Sequence, residues 1–215
     1  MSDIGLALDP ALAALAGALL GLVAGYGALR ANALFARRRD LAPPRFGALW
    51  LGLAVLCGAG ALWRFGMTPH GLALVLFGVI ALAIVGFDFA HRRIPNEWSA
   101  AIAVIGLLDA VVAGRVVEAL ATGIIGALLL FAFGRLYGMI RGREGIGFGD
   151  VKLVVGLGIW LGPQGLIWCF LIASIATAVI GGLVLVLRGL ADDPPFGPAL
   201  LLVTLALLLA GLPPY

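Results

Sequence analysis

Charged residues are scarce in this sequence. Asp, Glu, Lys and Arg make up 12% of its 215 residues, against about 25% in typical soluble domains. Hydrophobic residues reach 63%, and a water-soluble globule of this size cannot hide so much apolar surface. The composition therefore excludes a soluble enzyme, a disordered chain and a nucleic-acid-binding module, and it predicts an all-α, polytopic transmembrane helix bundle.

Cysteine is also rare. The sequence has Cys57 and Cys169, each inside an apolar run. Because no CxxC pair exists, a structural zinc site of the cysteine type is excluded. We expect both cysteines to be buried thiols that pack in the core.

Long apolar runs, in contrast, fill most of the chain. A helix needs about 20 apolar residues to cross a bilayer, so we predict a single membrane domain over residues 1–215 with about eight spans, within a range of six to eight. The sixth and eighth spans are short, which is typical of tilted or partial helices. The predicted spans are 10–29, 47–64, 71–88, 98–114, 118–137, 151–163, 165–187 and 199–212.

Basic residues predict the orientation. Of the 14 Lys and Arg residues, all but Arg64 and Arg115 fall in loops on one side of the predicted spans. By the positive-inside rule, these loops are cytoplasmic and both termini lie outside. All five tryptophans fall near predicted span ends, where indole rings favour the membrane interface: Trp50, Trp63, Trp98, Trp160 and Trp168.

Three glycines share one face of the first span. Gly17, Gly21 and Gly25 form a GxxxGxxxG stripe that lets another helix approach closely. We expect another helix of the same chain to pack on this stripe, and the alternative is that a second copy of the protein does so in a homo-oligomer.

Three carboxylates lie in or beside predicted spans. An aspartate at the centre of a membrane helix costs about 2.5–3.5 kcal/mol on insertion scales, so such residues are candidates for function. Asp88 ends the third span and Asp150 begins the sixth, both on the cytoplasmic side, whereas Asp109 lies toward the outer end of the fourth span.

Asp88 and Asp150 are therefore expected at similar depth on one face of the membrane. Two nearby carboxylates cannot readily both ionise, so the pair would share a proton. The ionised member can deprotonate a water while the protonated member donates to a carbonyl oxygen, as in aspartic proteases. The alternative is that each aspartate caps a helix or pairs with a neighbouring arginine.

The neighbours of both aspartates suggest how a substrate could enter. Gly147 and Gly149 precede Asp150 and leave room for a second chain, although glycine turns also simply end helices. Pro95 can start the fourth helix, and we expect Asn96 to cap it.

Two segments together resemble a known family. Asp88 is followed by Ile94-Pro95-Asn96, and Gly147-x-Gly149-Asp150 continues into Lys152-Leu153. This combination resembles the prepilin peptidase family, the type IV leader peptidases, which are membrane aspartyl proteases of the GxGD class. The stretch 156–162 and the PFGP segment at 195–198 are similar to further segments of that family, so the resemblance covers about residues 70–205.

The resemblance implies cleavage of a basic leader peptide from type IV prepilin or pseudopilin precursors, after a glycine, at the cytoplasmic face of the bacterial inner membrane. Asp88 and Asp150 would be the catalytic pair, with no metal or organic cofactor. Substrate-binding roles would fall to Gly147, Gly149, Lys152, Pro95 and Asn96. For Lys152, a snorkelling lysine is the alternative.

The sequence also departs from the family pattern. Many members carry a zinc-binding, cysteine-rich insert after the first span and methylate the new pilin N-terminus, whereas here the loop 30–46 is short and has no cysteine. We therefore expect a peptidase without N-methyltransferase activity. Glu144, Asp192 and Asp193 are acidic loop residues that could attract a basic leader.

Two other functions remain open from the residues alone. In a transporter, Asp88, Asp109 and Asp150 would form a carboxylate relay, which gives Asp109 a role that a protease does not. In a non-catalytic scaffold of a pilus or secretion system, both Asp88 and Asp150 would tolerate substitution.

Overall fold

A computed structural model describes residues 9–42, 47–142, 147–188 and 195–212. Those residues form seven helices and contain no strand, which confirms the predicted all-α bundle. The helices are α1 (Pro10–Arg37), α2 (Gly47–Phe65), α3 (Pro69–His91), α4 (Asn96–Val112), α5 (Val116–Arg141), α6 (Phe148–Arg188) and α7 (Phe196–Leu209).

The predicted count of eight spans needs correction. Within the described ranges, five helices (α1, α2, α3, α5 and α6) are long and apolar enough to cross a membrane, and α4 and α7 are shorter. The predicted spans 151–163 and 165–187 both belong to α6. This helix has 41 residues and breaks at Gly162, whose φ of 65° and ψ of 179° lie outside the helical region. Glycine tolerates this conformation, and Pro163 follows it, so two helical segments meet without a loop.

Helix α3 lies at the centre of the bundle, where it packs against α1, α2, α4 and α7. Its sequence is apolar on every side, which is the pattern of a helix buried all round. Every residue from Phe77 to Asp88 is buried, and Phe77, Ile84 and Phe87 are inaccessible to solvent. The apolar run therefore carries Asp88 into the interior at the end of the most enclosed helix.

Helices α1 and α2 form the closest pair. The glycine stripe of α1 faces α2, with Gly17 against the backbone of Gly58 and Gly21 against that of Ala54. This contact confirms that the stripe packs within the chain. Helix α1 continues to Arg37, so the predicted loop 30–46 is too long. Its first eight residues are helical and bury Ala36 and Asn32, and the Nδ2 of Asn32 donates to the carbonyl of Ala83 in α3 at 2.8 Å.

The tryptophan prediction holds only in part. Trp63 and Trp168 are exposed on the outside of the bundle, but Trp160 is completely buried. The indole Nε1 of Trp160 donates to the carbonyl of Ile102 at 3.0 Å, and its ring packs against Phe77. A satisfied N–H group allows the core to accept this side chain. Cys169 is a buried free thiol as predicted, and Cys57 is a partly buried one.

Candidate active site

Asp88 lies at the end of α3, in a turn that reverses the chain. Its side chain is buried, with 5% of the residue exposed. Three residues after the aspartate the helix stops at His91, and Arg92 takes a left-handed conformation with φ of 50°. The backbone N–H of Arg92 donates to the carbonyl of Asp88 at 2.7 Å. This turn brings the following residues back beside the carboxylate.

Those residues are Ile94, Pro95 and Asn96, at the start of α4. Pro95 precedes the first helical residue and has a φ of −63°, as proline requires. The predicted capping role of Asn96 is wrong, because no side chain caps this helix. Instead, Asn96 Oδ1 accepts a hydrogen bond from Lys152 Nζ at 3.1 Å. The side chain of Asn96 thus links α4 to α6.

Asp150 lies in the first turn of α6. Its backbone N–H donates to the carbonyl of Gly147 at 3.1 Å, and the positive end of the helix dipole favours a negative charge there. Neither Gly147 nor Gly149 has a positive φ. An added Cβ would lie 3.6 Å from Asp150 Oδ2 at Gly147 and 3.5 Å from Ile94 Cβ at Gly149, which are ordinary contacts. Backbone conformation and packing therefore do not require glycine at either position.

The two carboxylates face each other beside the start of α7. A Cβ placed on Gly197 would lie 3.0 Å from Asp150 Oδ1 and 3.2 Å from Asp88 Oδ2. These two oxygens are therefore within about 6 Å of one another, where like charges in a partly buried site repel appreciably. The structure thus brings together, at one end of the bundle, the two aspartates that the sequence pattern paired.

A cavity of about 500 Å³ opens at this point. Every residue predicted for the site lines this cavity, namely Asp88, Pro95, Asn96, Gly147, Gly149, Asp150 and Lys152. The lining also includes Phe87, Phe148 and Phe196, together with three arginines, Arg39, Arg92 and Arg93. The carboxylates therefore lie in a space with aromatic walls and cationic residues among its lining.

Sequence reasoning missed Arg39. This residue follows α1 by two positions, and its guanidinium pairs with Glu97 of α4 at 3.1 Å. It is one of three consecutive arginines, and nothing in that run marks which of them turns toward the site. Only the packing of α1 against the rest of the bundle selects it.

Asp109 is not part of this site. It lies 13 residues after Asn96, or about 20 Å along α4 at 1.5 Å per residue. Its Oδ1 lies 2.9 Å from His70 Nδ1, and its Oδ2 accepts from Arg115 Nη2 at 3.3 Å. The carboxylate that would extend a relay is therefore engaged in a separate cluster at the opposite end of α4.

Some predicted residues lie outside the part of the chain that the structure describes. These are Glu144, Asp192 and Asp193, the acidic residues considered for leader attraction. Within the described ranges, no group of three or more His, Cys, Asp or Glu side chains is arranged to hold a metal ion.

The contacts of Lys152 lead to a testable prediction. Its ammonium bonds Asn96 and lies 4.7 Å from the centroid of the Phe148 ring, on an exposed side chain. A K152Q variant can still donate to Asn96 but loses the charge. For a site that cleaves peptides, as the resemblance implies, we expect cleavage to fall by no more than about tenfold, since the exposed cation–π contact that is lost is worth about 0.5–1 kcal/mol. A loss above 100-fold in a peptide-cleavage assay would instead assign the charge a direct part in the reaction.

Comparisons with known proteins agree with this arrangement. The model of the type IV leader peptidase family matches residues 74–182, a range that includes both aspartates. Among curated proteins, a relative from Xanthomonas campestris is 31% identical over 151 residues, which cover 68% of this chain and 52% of the relative. It is named prepilin leader peptidase/N-methyltransferase.

Two further relatives carry the same name. The protein from Burkholderia pseudomallei is 39% identical over 166 residues, covering 73% of this chain and 52% of the relative. The protein from Pseudomonas aeruginosa is 31% identical over 173 residues, covering 78% of this chain and 59% of the relative. The chain thus spans about half the length of the curated relatives that it matches, and no solved structure matches it. From the family match and the apolar helices together, the chain is a multi-pass membrane protein that belongs to the type IV leader peptidase family.

Proposed function

We propose that this protein is a membrane-embedded aspartyl endopeptidase that removes the basic leader peptide from type IV prepilin-like precursors. Asp88 and Asp150 would be its catalytic residues. The observation that carries the proposal is the meeting of these two carboxylates, within about 6 Å, beside one cavity at the end of the bundle. The family match and the names of the relatives support the substrate class.

The proposed chemistry follows from two carboxyl groups that share one proton. The ionised carboxylate takes a proton from water as the water oxygen attacks the scissile carbonyl carbon. The protonated carboxyl gives its proton to the carbonyl oxygen, which forms a neutral tetrahedral diol. When the C–N bond breaks, the proton taken from water passes to the leaving nitrogen, and one hydroxyl of the diol returns its proton to the other carboxylate as the new C=O bond forms. The pair thereby returns to its starting protonation state, and no cofactor is consumed.

The substrate would enter beside the glycines of the α6 start. A helical peptide bond is shielded by its own hydrogen bonds, so the leader junction must unwind before water can attack it. Gly147 and Gly149 line the cavity without a side chain, and this leaves space for an extended peptide backbone next to Asp150. We propose that the apolar helix of the precursor stays in the bilayer while this junction reaches the cavity.

We place the site on the cytoplasmic side of the bacterial inner membrane. All Lys and Arg residues except Arg64 and Arg115 fall on one side of the predicted spans, the side on which Asp88 and Asp150 lie, as the positive-inside rule requires for the cytoplasmic side. We further propose that the protein cleaves without methylating. The loop between α1 and α2 has no cysteine and leaves no room for the cysteine-rich insert found in many members of the family.

One experiment tests these proposals together. The purified protein in detergent is incubated with a prepilin-like precursor, and the product is analysed by mass spectrometry. We expect a single cut after a glycine and a product without an added methyl group. A precursor left intact would overturn the peptidase assignment, whereas a methylated product would overturn only the absence of methyltransferase activity.

The two glycines before Asp150 provide a separate prediction. G147A and G149A should leave the fold intact, because each added Cβ meets only ordinary contacts. Each methyl would narrow the path of the peptide, so we expect kcat/KM to fall about tenfold, equivalent to about 1.4 kcal/mol. The measurement is steady-state cleavage of a fluorogenic leader-junction peptide.

The matched control is G27A in α1, where an added Cβ has no neighbour within 4 Å. This variant should cleave as the wild type does. If G147A and G149A cleaved the peptide as well as the wild type does, the glycines would have no part in admitting the substrate.

A further inference from the structure

Gly197, in the first turn of α7, occupies the point on which both carboxylates converge. A Cβ at this position would lie 2.9 Å from Ile94 Cδ1, 3.0 Å from Asp150 Oδ1 and 3.2 Å from Asp88 Oδ2. Nonbonded atoms reach their optimal separation at about 3.5–4.0 Å. Any side chain here would therefore have to push one or more of these three groups away.

Helix α7 cannot relieve this crowding by moving outward. Leu200 and Leu201 are inaccessible to solvent in the main core. One turn further on, Thr204 Oγ1 lies 3.2 Å from Cys169 Sγ, and that thiol also donates weakly to the carbonyl of Leu200 at 3.5 Å. These contacts hold α7 against α6, so the groups that give way would be the carboxylates and Ile94.

The three contacts indicate that a small substitution at Gly197 would change the reaction rate and not the folding of the protein. All three neighbours are the tips of side chains, which can shift without moving the backbone. The contrast is Gly158, where an added Cβ would meet the backbone Cα of Gly123 at 2.7 Å. A substitution at Gly158 would separate α6 from α5, but a small substitution at Gly197 would disturb only the site.

We propose that Gly197 is a positioning residue of the peptidase, whose missing side chain sets the gap between Asp88 and Asp150. This inference rests on the function proposed above. The gap must hold a water and the scissile carbonyl at the same time, and a methyl group on Gly197 would project into it. A catalytic group that is misplaced by about 1 Å lowers an enzymatic rate by about 100-fold. Smaller shifts of the two carboxylates should therefore lower kcat between 10-fold and 100-fold.

The test compares G197A with the wild type and with D88N, using the fluorogenic leader-junction peptide and an apparent melting temperature in detergent. For G197A we expect kcat to fall 10-fold to 100-fold, with KM changed less than threefold and the melting temperature preserved. The matched control is G182A near the C-terminal end of α6, where an added Cβ has no neighbour within 4 Å. This control should leave both kcat and the melting temperature unchanged.

A double variant tests the steric cause directly. The change I94V removes Cδ1 of Ile94, which is the nearest of the three contacts, so I94V/G197A should recover part of the kcat that G197A loses relative to the I94V background. A merely structural role for Gly197 would not produce such recovery.

The outcomes are distinguishable. If G197A cleaves as the wild type does while D88N is inactive, the inference about Gly197 is wrong and the peptidase assignment stands. If G197A fails to fold, Gly197 is a packing residue and the inference is equally wrong. If the wild type itself does not cleave, the proposed function fails and takes this inference with it.

Discussion

Replacing either Asp88 or Asp150 with asparagine should abolish leader cleavage, with a loss of at least about 1,000-fold in kcat. General acid–base catalysis contributes about 10²- to 10⁴-fold per group, and here a single pair would do the work of both acid and base. An amide can neither accept a proton from water nor donate the shared proton to the carbonyl oxygen at useful rates. The effect should therefore be nearly complete in each single variant.

The same substitutions should not harm the fold. Asp88 and Asp150 face each other in a partly enclosed space, so one neutral amide removes a repulsion between like charges. We expect D88N and D150N to enter the membrane normally and to keep or raise the apparent melting temperature. A variant that lost activity through unfolding would show the opposite change.

The control for this prediction is D40N. Asp40 is an exposed carboxylate after α1, and its φ of 53° is a conformation that asparagine tolerates well. This variant should cleave like the wild type, because Asp40 does not line the cavity. Full cleavage activity in either D88N or D150N would refute the catalytic pair.

The second large effect is expected at the opposite end of α4. In R115L, the buried carboxylate of Asp109 would lose the guanidinium that donates to it at 3.3 Å. Only 4% of the Asp109 side chain and 11% of the Arg115 side chain are exposed. Removing one partner of such a buried pair costs about 3–5 kcal/mol. Because His70 Nδ1 still lies 2.9 Å from Asp109 Oδ1, we expect the lower end of that range and a fall of about 10 °C in the apparent melting temperature.

Arg115 has a further structural role that adds to this loss. Its Nη1 donates to the carbonyl of Ile159 at 2.8 Å. In an unbroken α6 that carbonyl would accept from the N–H of residue 163, but Pro163 has no N–H. The arginine therefore supplies the donor that the helix break removes. Leucine cannot replace it, and the break at Gly162 would be left less well supported.

The double variant D109N/R115L provides the internal check. With the carboxylate neutralised, part of the lost stability should return, although the carbonyl of Ile159 remains without its donor. The D109N variant alone should retain leader cleavage within a few-fold, because Asp109 lies about 20 Å from the cavity end of α4. A D109N protein that was stable but inactive would instead support a carboxylate relay.

The sequence was most informative where a charged residue lies in or beside an apolar membrane segment, because such a residue is costly there unless it has a function. Asp88 ends a run of apolar residues from Phe77 onward, and a carboxylate there is costly in a membrane helix. Asp150 begins the sixth predicted span, on the same side of the membrane. Because consecutive spans alternate in direction, their placement at one end of the bundle followed from counting helices. The pairing was therefore accessible before any tertiary contact was known.

Other features had no local signal. The side chain of Asn96 was expected to cap α4, yet it accepts a hydrogen bond from Lys152, because α6 begins beside it. Trp160 was expected at the interface, yet it is buried with its N–H on the carbonyl of Ile102. In both cases the deciding partner is more than fifty residues away in the chain, where periodicity and capping rules do not reach.

From its sequence alone, this chain was bound to be a helical membrane protein with two acidic groups at one end, because apolar side chains avoid water and carboxylates avoid lipid. Only the tertiary structure decided how near those groups come and what separates them. The distance between Asp88 and Asp150 depends on how α3, α6 and α7 pack, and on the absence of a side chain at Gly197. Such distances are set by the shapes of surfaces that meet across the bundle, which no single segment encodes.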